Sequence, residues 1–133
     1  MRQKSEDAHD EPRFHIVQSL GRGGFGDVHE AIDRHTGQRV ALKQLTHLSP
    51  NALFRFKQEF RALADIHHPN VVSLRELMEQ DGRWYIVMEL VEGQHLLEFL
   101  RVADNDPAFD EQRLRQAFVG IAQGLEALHA HGI

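Results

Sequence analysis

The run Gly21-Arg22-Gly23-Gly24-Phe25-Gly26-Asp27-Val28 fits the spacing G-x-G-x-x-G-x-V. The chemistry open to such a run is contact with a polyphosphate. Lacking side chains, glycines let the backbone approach closely and aim its N–H groups at phosphate oxygens. Spacing alone leaves a flexible hairpin with no ligand open as well. A dinucleotide-binding fold would need a helix directly after the glycines, whereas here strand-like residues follow, so the glycines are expected to turn a β-hairpin.

Two charged residues further on extend the pattern. In Val40-Ala41-Leu42-Lys43, strand alternation puts Ala41 and Lys43 on one face and Val40 and Leu42 on the other. A small residue beside an ammonium leaves room for a flat ring and places a cation within reach of phosphates. A solvated lysine near a strand end is the alternative. Taking Phe56 as origin at about 100° per residue, Phe60 lies at roughly 40°, Leu53 at roughly 60°, Leu63 at roughly 340°, Ile66 at roughly 280° and Glu59 at roughly 300°. Glu59 thus falls inside the apolar arc, and a carboxylate facing protein there needs a cationic partner, for which Lys43 is a candidate. A glutamate at the edge of the arc reaching back to water is the other reading.

The elements that would position these groups can be read from period and punctuation. Residues 1–12 are almost free of apolar side chains and are expected to form a mobile leader. Phe14, Ile16, Gln18 and Leu20 alternate with His15, Val17 and Ser19 as a first strand. Residues 26–32 and 39–45 read as a second and third, with Gly37 in the turn between them. Ser49-Pro50 is a helix start, and apolar residues at three- and four-residue steps carry that helix to about residue 66. Residues 71–79 and 83–89 read as two strands joined by a tight Asp81-Gly82 turn. A short helix in HLLEFLR, a polar loop with Pro107 and a long helix capped by Asp110 follow. Leu114, Phe118, Ile121, Leu125 and Leu128 form its apolar stripe, and Gly132 stops it.

Composition excludes several function classes. The chain has 133 residues, 41% hydrophobic and 26% charged, and no apolar run approaches the roughly 18 residues that span a bilayer. Fifteen Lys and Arg against twenty Asp and Glu give a net charge of −5, which argues against sequence-independent binding to nucleic acid or to an anionic membrane. There is no cysteine for disulfides, thiol catalysis or cysteine-held zinc. Ten histidines are present, but no pair has the i, i+4 spacing that puts two imidazoles on one helical face, so no metal site is expected among them. A cytoplasmic location is the expectation.

Taken together, the Gly21 to Val28 loop, the Val40 to Lys43 strand, helical Glu59, His68-Pro69-Asn70, the strand ending Tyr85-Ile86-Val87-Met88-Glu89 and Leu128-His129-Ala130-His131-Gly132-Ile133 resemble the protein kinase family, most closely its Ser/Thr branch. The resemblance covers residues 14–133. It implies an α+β, two-lobed fold. A five-stranded antiparallel sheet with one helix would occupy residues 13–91, and the hinge end with the first helices of an incomplete second lobe residues 92–133.

The resemblance also implies ATP as cofactor and a protein substrate as partner. Gly21, Gly23, Gly24, Phe25 and Gly26 would cover the phosphates, Lys43 would bind the α- and β-phosphates, and Glu59 would hold Lys43 in place. Leu20, Val28 and Ala41 would frame the adenine, Met88 would guard the back of the pocket, and backbone groups of Glu89 and Val91 would meet the adenine edge. The His-Arg-Asp and Asp-Phe-Gly segments, which carry the catalytic base and the magnesium ligands in that family, do not occur in these residues. Two expectations follow. One is the ATP-binding portion of a Ser/Thr kinase, inactive by itself and weak for ATP. The other is a non-catalytic nucleotide-binding or regulatory module.

Overall fold

The computed structural model describes residues 11–23, 26–46, 48–103 and 108–133. The leader, apart from its last two residues, and the Pro107 loop lie outside them. Five strands, β1 (Phe14–Gly23), β2 (Gly26–Asp33), β3 (Gln38–Leu45), β4 (Leu74–Gln80) and β5 (Arg83–Glu89), form one antiparallel sheet in the order β1-β2-β3-β5-β4. Helix α1 (Pro50–Ala64) crosses from β3 to β4, and α2 (Leu96–Leu100) and α3 (Glu111–Ala130) follow β5.

Local chemistry accounts for most boundaries. The Ser49 side chain accepts from the Ala52 N–H at 3.2 Å with Pro50 in the first turn of α1. Asp110 accepts from the Arg113 N–H at 3.0 Å at the start of α3. Asp81 (φ 53°) and Gly82 (φ 72°) form a two-residue turn closed by the Gln80–Arg83 pair, the mirror-image geometry that suits strand twist. Two expectations on strands are corrected. Strand β1 runs on to Gly23, but its register shifts between Ile16 and Gln18 and again between Ser19 and Gly21, and only Phe14 along it is buried. The bulges twist this edge strand so that its alternation no longer sorts inside from outside. Strand β4 starts at Leu74 because the chain turns at His68 to Val71, where the Val71 N–H donates to the His68 carbonyl at 3.1 Å.

The core lies on one face of the sheet. Phe14, Ala31, Val40, Leu42 and Val87 are buried there, with Met78 and Tyr85 packed against them. Although β1 and β4 are opposite edges, Arg13 beside β1 pairs with Asp33 at the end of β2 (2.8 Å) and with Glu76 in β4 (2.9 Å). The sheet is therefore curled until its edges share one guanidinium, which lies 4.7 Å from the Phe14 ring centroid.

Helix α3 leaves the middle of its apolar stripe uncovered, with Leu114 and Leu128 half-buried at its ends. Phe118, Ile121 and Leu125 are exposed, whereas Gly124 is buried. The Asn70 side chain donates to the Gly120 carbonyl and to Gln123 Oε1, each at 3.0 Å. A Cβ on Gly124 would stand 2.7 Å from the Asn70 carbonyl oxygen, while one on Gly120 would meet only the Asn70 side-chain nitrogen at 3.7 Å. Gly120→Ala should therefore gain about 0.5–1 kcal/mol of helix propensity. Gly124→Ala should instead lose about 1 kcal/mol, because the clash with backbone outweighs the same gain. Thermal melts of the two variants moving in the same direction would contradict this packing.

Candidate functional site

Register brings the chemistry-bearing residues of β1, β2, β3 and β5 together. Gly21 opposes Val28, Arg22 opposes Asp27 and Gly23 opposes Gly26, so the glycine run closes a hairpin. Val28 pairs with Lys43, and Lys43 with Ile86, which sets these three side chains in one row on one face. The next row on that face is Glu30, Ala41 and Met88. Gly21, Arg22, Gly23, Gly26, Val28 and Lys43 line an open groove of about 240 Å3 under the hairpin. Gly24 and Phe25 lie outside the described residues.

Strand alternation in β3 holds. Val40 and Leu42 enter the core, while Ala41 and Lys43 lie on the opposite face, where Lys43 lines the groove and Ala41 is buried in the next row. Met88 and Glu89 are half-buried. The Glu89 N–H donates to the Ser73 carbonyl and its Oε1 accepts from the Ser73 N–H, both at 3.0 Å, which holds the end of β5 against the start of β4. Leu20, in β1, and Val91, just past β5, are exposed.

Glu59 is the correction. It is exposed, and among the ion pairs of the described residues none joins it to Lys43. Helix α1 packs against β4, its half-buried residues are Leu53, Phe56, Lys57, Phe60, Leu63 and Ala64, and Lys57 Nζ sits 4.2 Å over the ring of Trp84 in β5. On the helical wheel that face runs from roughly 340° through zero to roughly 100°, which leaves Glu59, at roughly 300°, on the flank. The expected burial rested on Ile66 extending the arc. Helix α1 ends at Ala64, and Ile66, buried beyond the cap, belongs to no helical face.

Sequence reasoning missed Glu30, a carboxylate only 3% exposed on the groove face of β2. Its signal was its place two residues after Val28, on the face that Val28 shares with Lys43. Gln18 Nε2 donates to it at 2.7 Å and Arg39 Nε at 2.7 Å. These bonds, that from Arg39 foremost, hold its carboxyl below the ordinary carboxylate range against the opposing effect of burial.

Comparison with known proteins places this geometry. The family model for the protein kinase domain matches residues 14–133. The chain is 33% identical to the probable serine/threonine-protein kinase PknB of Lactococcus lactis over 91% of its own length and 20% of the relative's. It is 34% identical to the serine/threonine-protein kinase cds1 of Schizosaccharomyces pombe over 98% and 28%, and 37% identical to the mitogen-activated protein kinase sma-5 of Caenorhabditis elegans over 88% and 24%. It thus spans between a fifth and about three tenths of these relatives. Sheet order, glycine hairpin and matched residues agree, and the chain belongs to the protein kinase domain family, with the five-stranded lobe and the first following helices in hand and serine/threonine kinases among its relatives.

Proposed function

We propose that the groove under the glycine hairpin binds ATP, as the nucleotide-positioning part of a serine/threonine protein kinase that transfers the γ-phosphoryl to protein. The observation that carries this reading is the row Val28–Lys43–Ile86 beneath the hairpin. It puts a cation below backbone that can come close to phosphates, and an aliphatic side chain next to it over which a purine can lie. Lys43 holds the phosphates, Val28 and Ala41 cover the ring, and the Glu89 carbonyl with the Val91 backbone meets the adenine edge, since the Glu89 N–H is already engaged.

The family's magnesium ligands lie in the Asp-Phe-Gly segment and the loop of the His-Arg-Asp segment, which these residues do not contain. Among the described residues no three His, Asp or Glu side chains are placed to hold a metal ion. The work of this chain is therefore to orient the nucleotide, and the 133 residues alone should show weak ATP binding and no phosphotransfer. The test is titration with ATP followed by NMR, on the chain and on Lys43→Met. Groove resonances should shift in the first and bind at least about tenfold more weakly in the second, as loss of a charge-assisted phosphate contact requires. Equal affinity in both would remove Lys43 from the site, and radiolabel transfer by the unaltered chain would refute the division of labour.

One observation favours a second reading, a docking module without catalysis. Phe118, Val119, Ile121 and Leu125 are exposed along α3, and such a row is ordinarily covered. Sedimentation of the purified chain, with a dye that reports exposed apolar surface, tests this reading, and a well-behaved monomer with no such surface would remove it.

A further inference from the structure

Glu30, Arg39 and Glu92 form a chain of charges that neither phosphate binding nor core packing explains. Glu30 lies in β2, opposite Ala41 on the groove face, and is 3% exposed. A carboxylate so placed must be paired, and Arg39, in the first part of β3, supplies Nε and Nη2 to its Oε1, each at 2.7 Å. Gln18 of β1 satisfies the other oxygen. The guanidinium then has a free end, and Nη1 is hydrogen-bonded to Glu92, which lies past β5 and next to Val91. A planar fork reaches two carboxylates in two directions, which a lysine cannot do. Because Glu30 already fixes Arg39, little side-chain freedom remains to be lost when Glu92 joins.

We propose that Arg39 is a positioning residue: it ties the segment after β5 to the sheet through Glu30 and Glu92, and so sets where that segment's backbone meets the adenine. This rests on the nucleotide reading above and adds to it a determinant lying outside the glycine loop and outside Lys43. The tie spans β1, β2, β3 and the post-β5 segment, so it fixes the height of the groove's adenine end while leaving the phosphate end to the hairpin.

The test uses Glu92→Gln, which releases the segment while leaving Glu30 paired, and Arg39→Lys, which keeps a cation beside Glu30 without the second arm. Adenosine and inorganic tripolyphosphate are the probes, titrated separately into the chain. Each variant should bind adenosine about two- to fivefold more weakly, within the range for an exposed ion pair, with tripolyphosphate affinity unchanged, and Glu92→Gln, which leaves Glu30 paired, should also keep the melting temperature. The double variant should be no weaker than either single one, because both break the same tie. Unchanged adenosine affinity, or equal losses for both probes, would overturn the assignment. If the unaltered chain binds neither probe, the nucleotide reading itself fails. Hydrogen exchange at the amides of residues 90–93 then decides the tie separately: faster exchange in Glu92→Gln supports it, and unchanged exchange overturns it.

Discussion

Gly26→Ala is expected to destabilise the fold strongly, and Gly21→Ala to leave its stability unchanged. A Cβ on Gly26 would lie 1.8 Å from the Gln44 carbonyl oxygen, a backbone atom of the neighbouring strand, and the residue sits at φ +130°, where side chains are rarely accommodated. The Gly26–Leu45 pair would have to open, breaking the ladder between β2 and β3 at the mouth of the groove. Strain and lost pairing together should exceed about 3 kcal/mol, a large share of the total stability of a small domain, and lower the melting temperature by about 10 °C or more. At Gly21 nothing lies within 4 Å of the added carbon, and at Gly23 only the Gly26 carbonyl, at 3.9 Å. Melts by circular dichroism should separate the variants, and similar midpoints for Gly26→Ala and Gly21→Ala would refute the argument. The contrast matters for function. Gly26 is demanded by the sheet's own packing, so in the glycine pattern it is Gly21 and Gly23 whose missing side chains bear on what the groove can admit.

Asp33→Asn should have the next largest effect. The carboxylate accepts from Arg13 Nη2 at 2.8 Å, from Arg13 Nε at 3.1 Å and from the His35 N–H at 3.0 Å, and so closes the curled sheet and caps the β2–β3 turn. Asparagine keeps the shape but not the charge, and at neutral pH the loss should be about 2 kcal/mol, the scale of hydrogen bonds to charged groups. The bonds from Arg13, aided by the His35 amide, hold the carboxyl below its ordinary 3.8 against the opposing effect of burial. A carboxyl depressed in the folded state contributes stability that is complete above its unfolded value and is lost as pH falls through the folded one. The unaltered chain should therefore weaken on acidification below about pH 4, and Asp33→Asn should weaken less over that interval. Urea midpoints measured from neutral pH down to about pH 2 check this, and parallel curves for the two proteins would exclude Asp33 as a source of acid sensitivity.

What could be read from the residues was what is local. Ser49-Pro50, Asp81-Gly82 and Asp110 each specify a boundary through neighbours a few positions away, and each stands where the pattern puts it. The groove row was legible for the same reason, since alternation along Val40 to Lys43 needs only the strand itself. Glu59 failed because a helical wheel assumes the helix continues. One residue beyond the cap, Ile66, widened the arc enough to enclose a carboxylate that in fact faces water. The Arg13–Asp33–Glu76 closure and the docking of α3 through Gly124 were out of reach, because both depend on how far the sheet curls and on where loop 68–70 arrives. Bulges in β1 belong with these, since nothing in FHIVQSL announces a doubled residue.

The strand order has a consequence for how the sheet assembles in time. Contacts of β1 with β2, β2 with β3 and β4 with β5 join strands adjacent along the chain, and hairpins of this kind close within about 1–10 μs. The seam between β3 and β5 is different: Leu45 meets Trp84 and Val40 meets Glu89, separations of 39 and 49 residues from their numbering, with α1 in between. Loop-closure entropy must be met before that seam returns any favourable contact, so it should be the late step, joining a preformed three-strand piece to a preformed two-strand piece. Lys43 and Met88 belong to opposite pieces. The phosphate end of the groove, lined entirely from β1, β2 and β3, would then exist in the three-strand piece, whereas Ile86, Met88 and Glu89 would join it only with the last strand pairing. An intermediate holding both pieces would have the glycine loop and Lys43 but no adenine end.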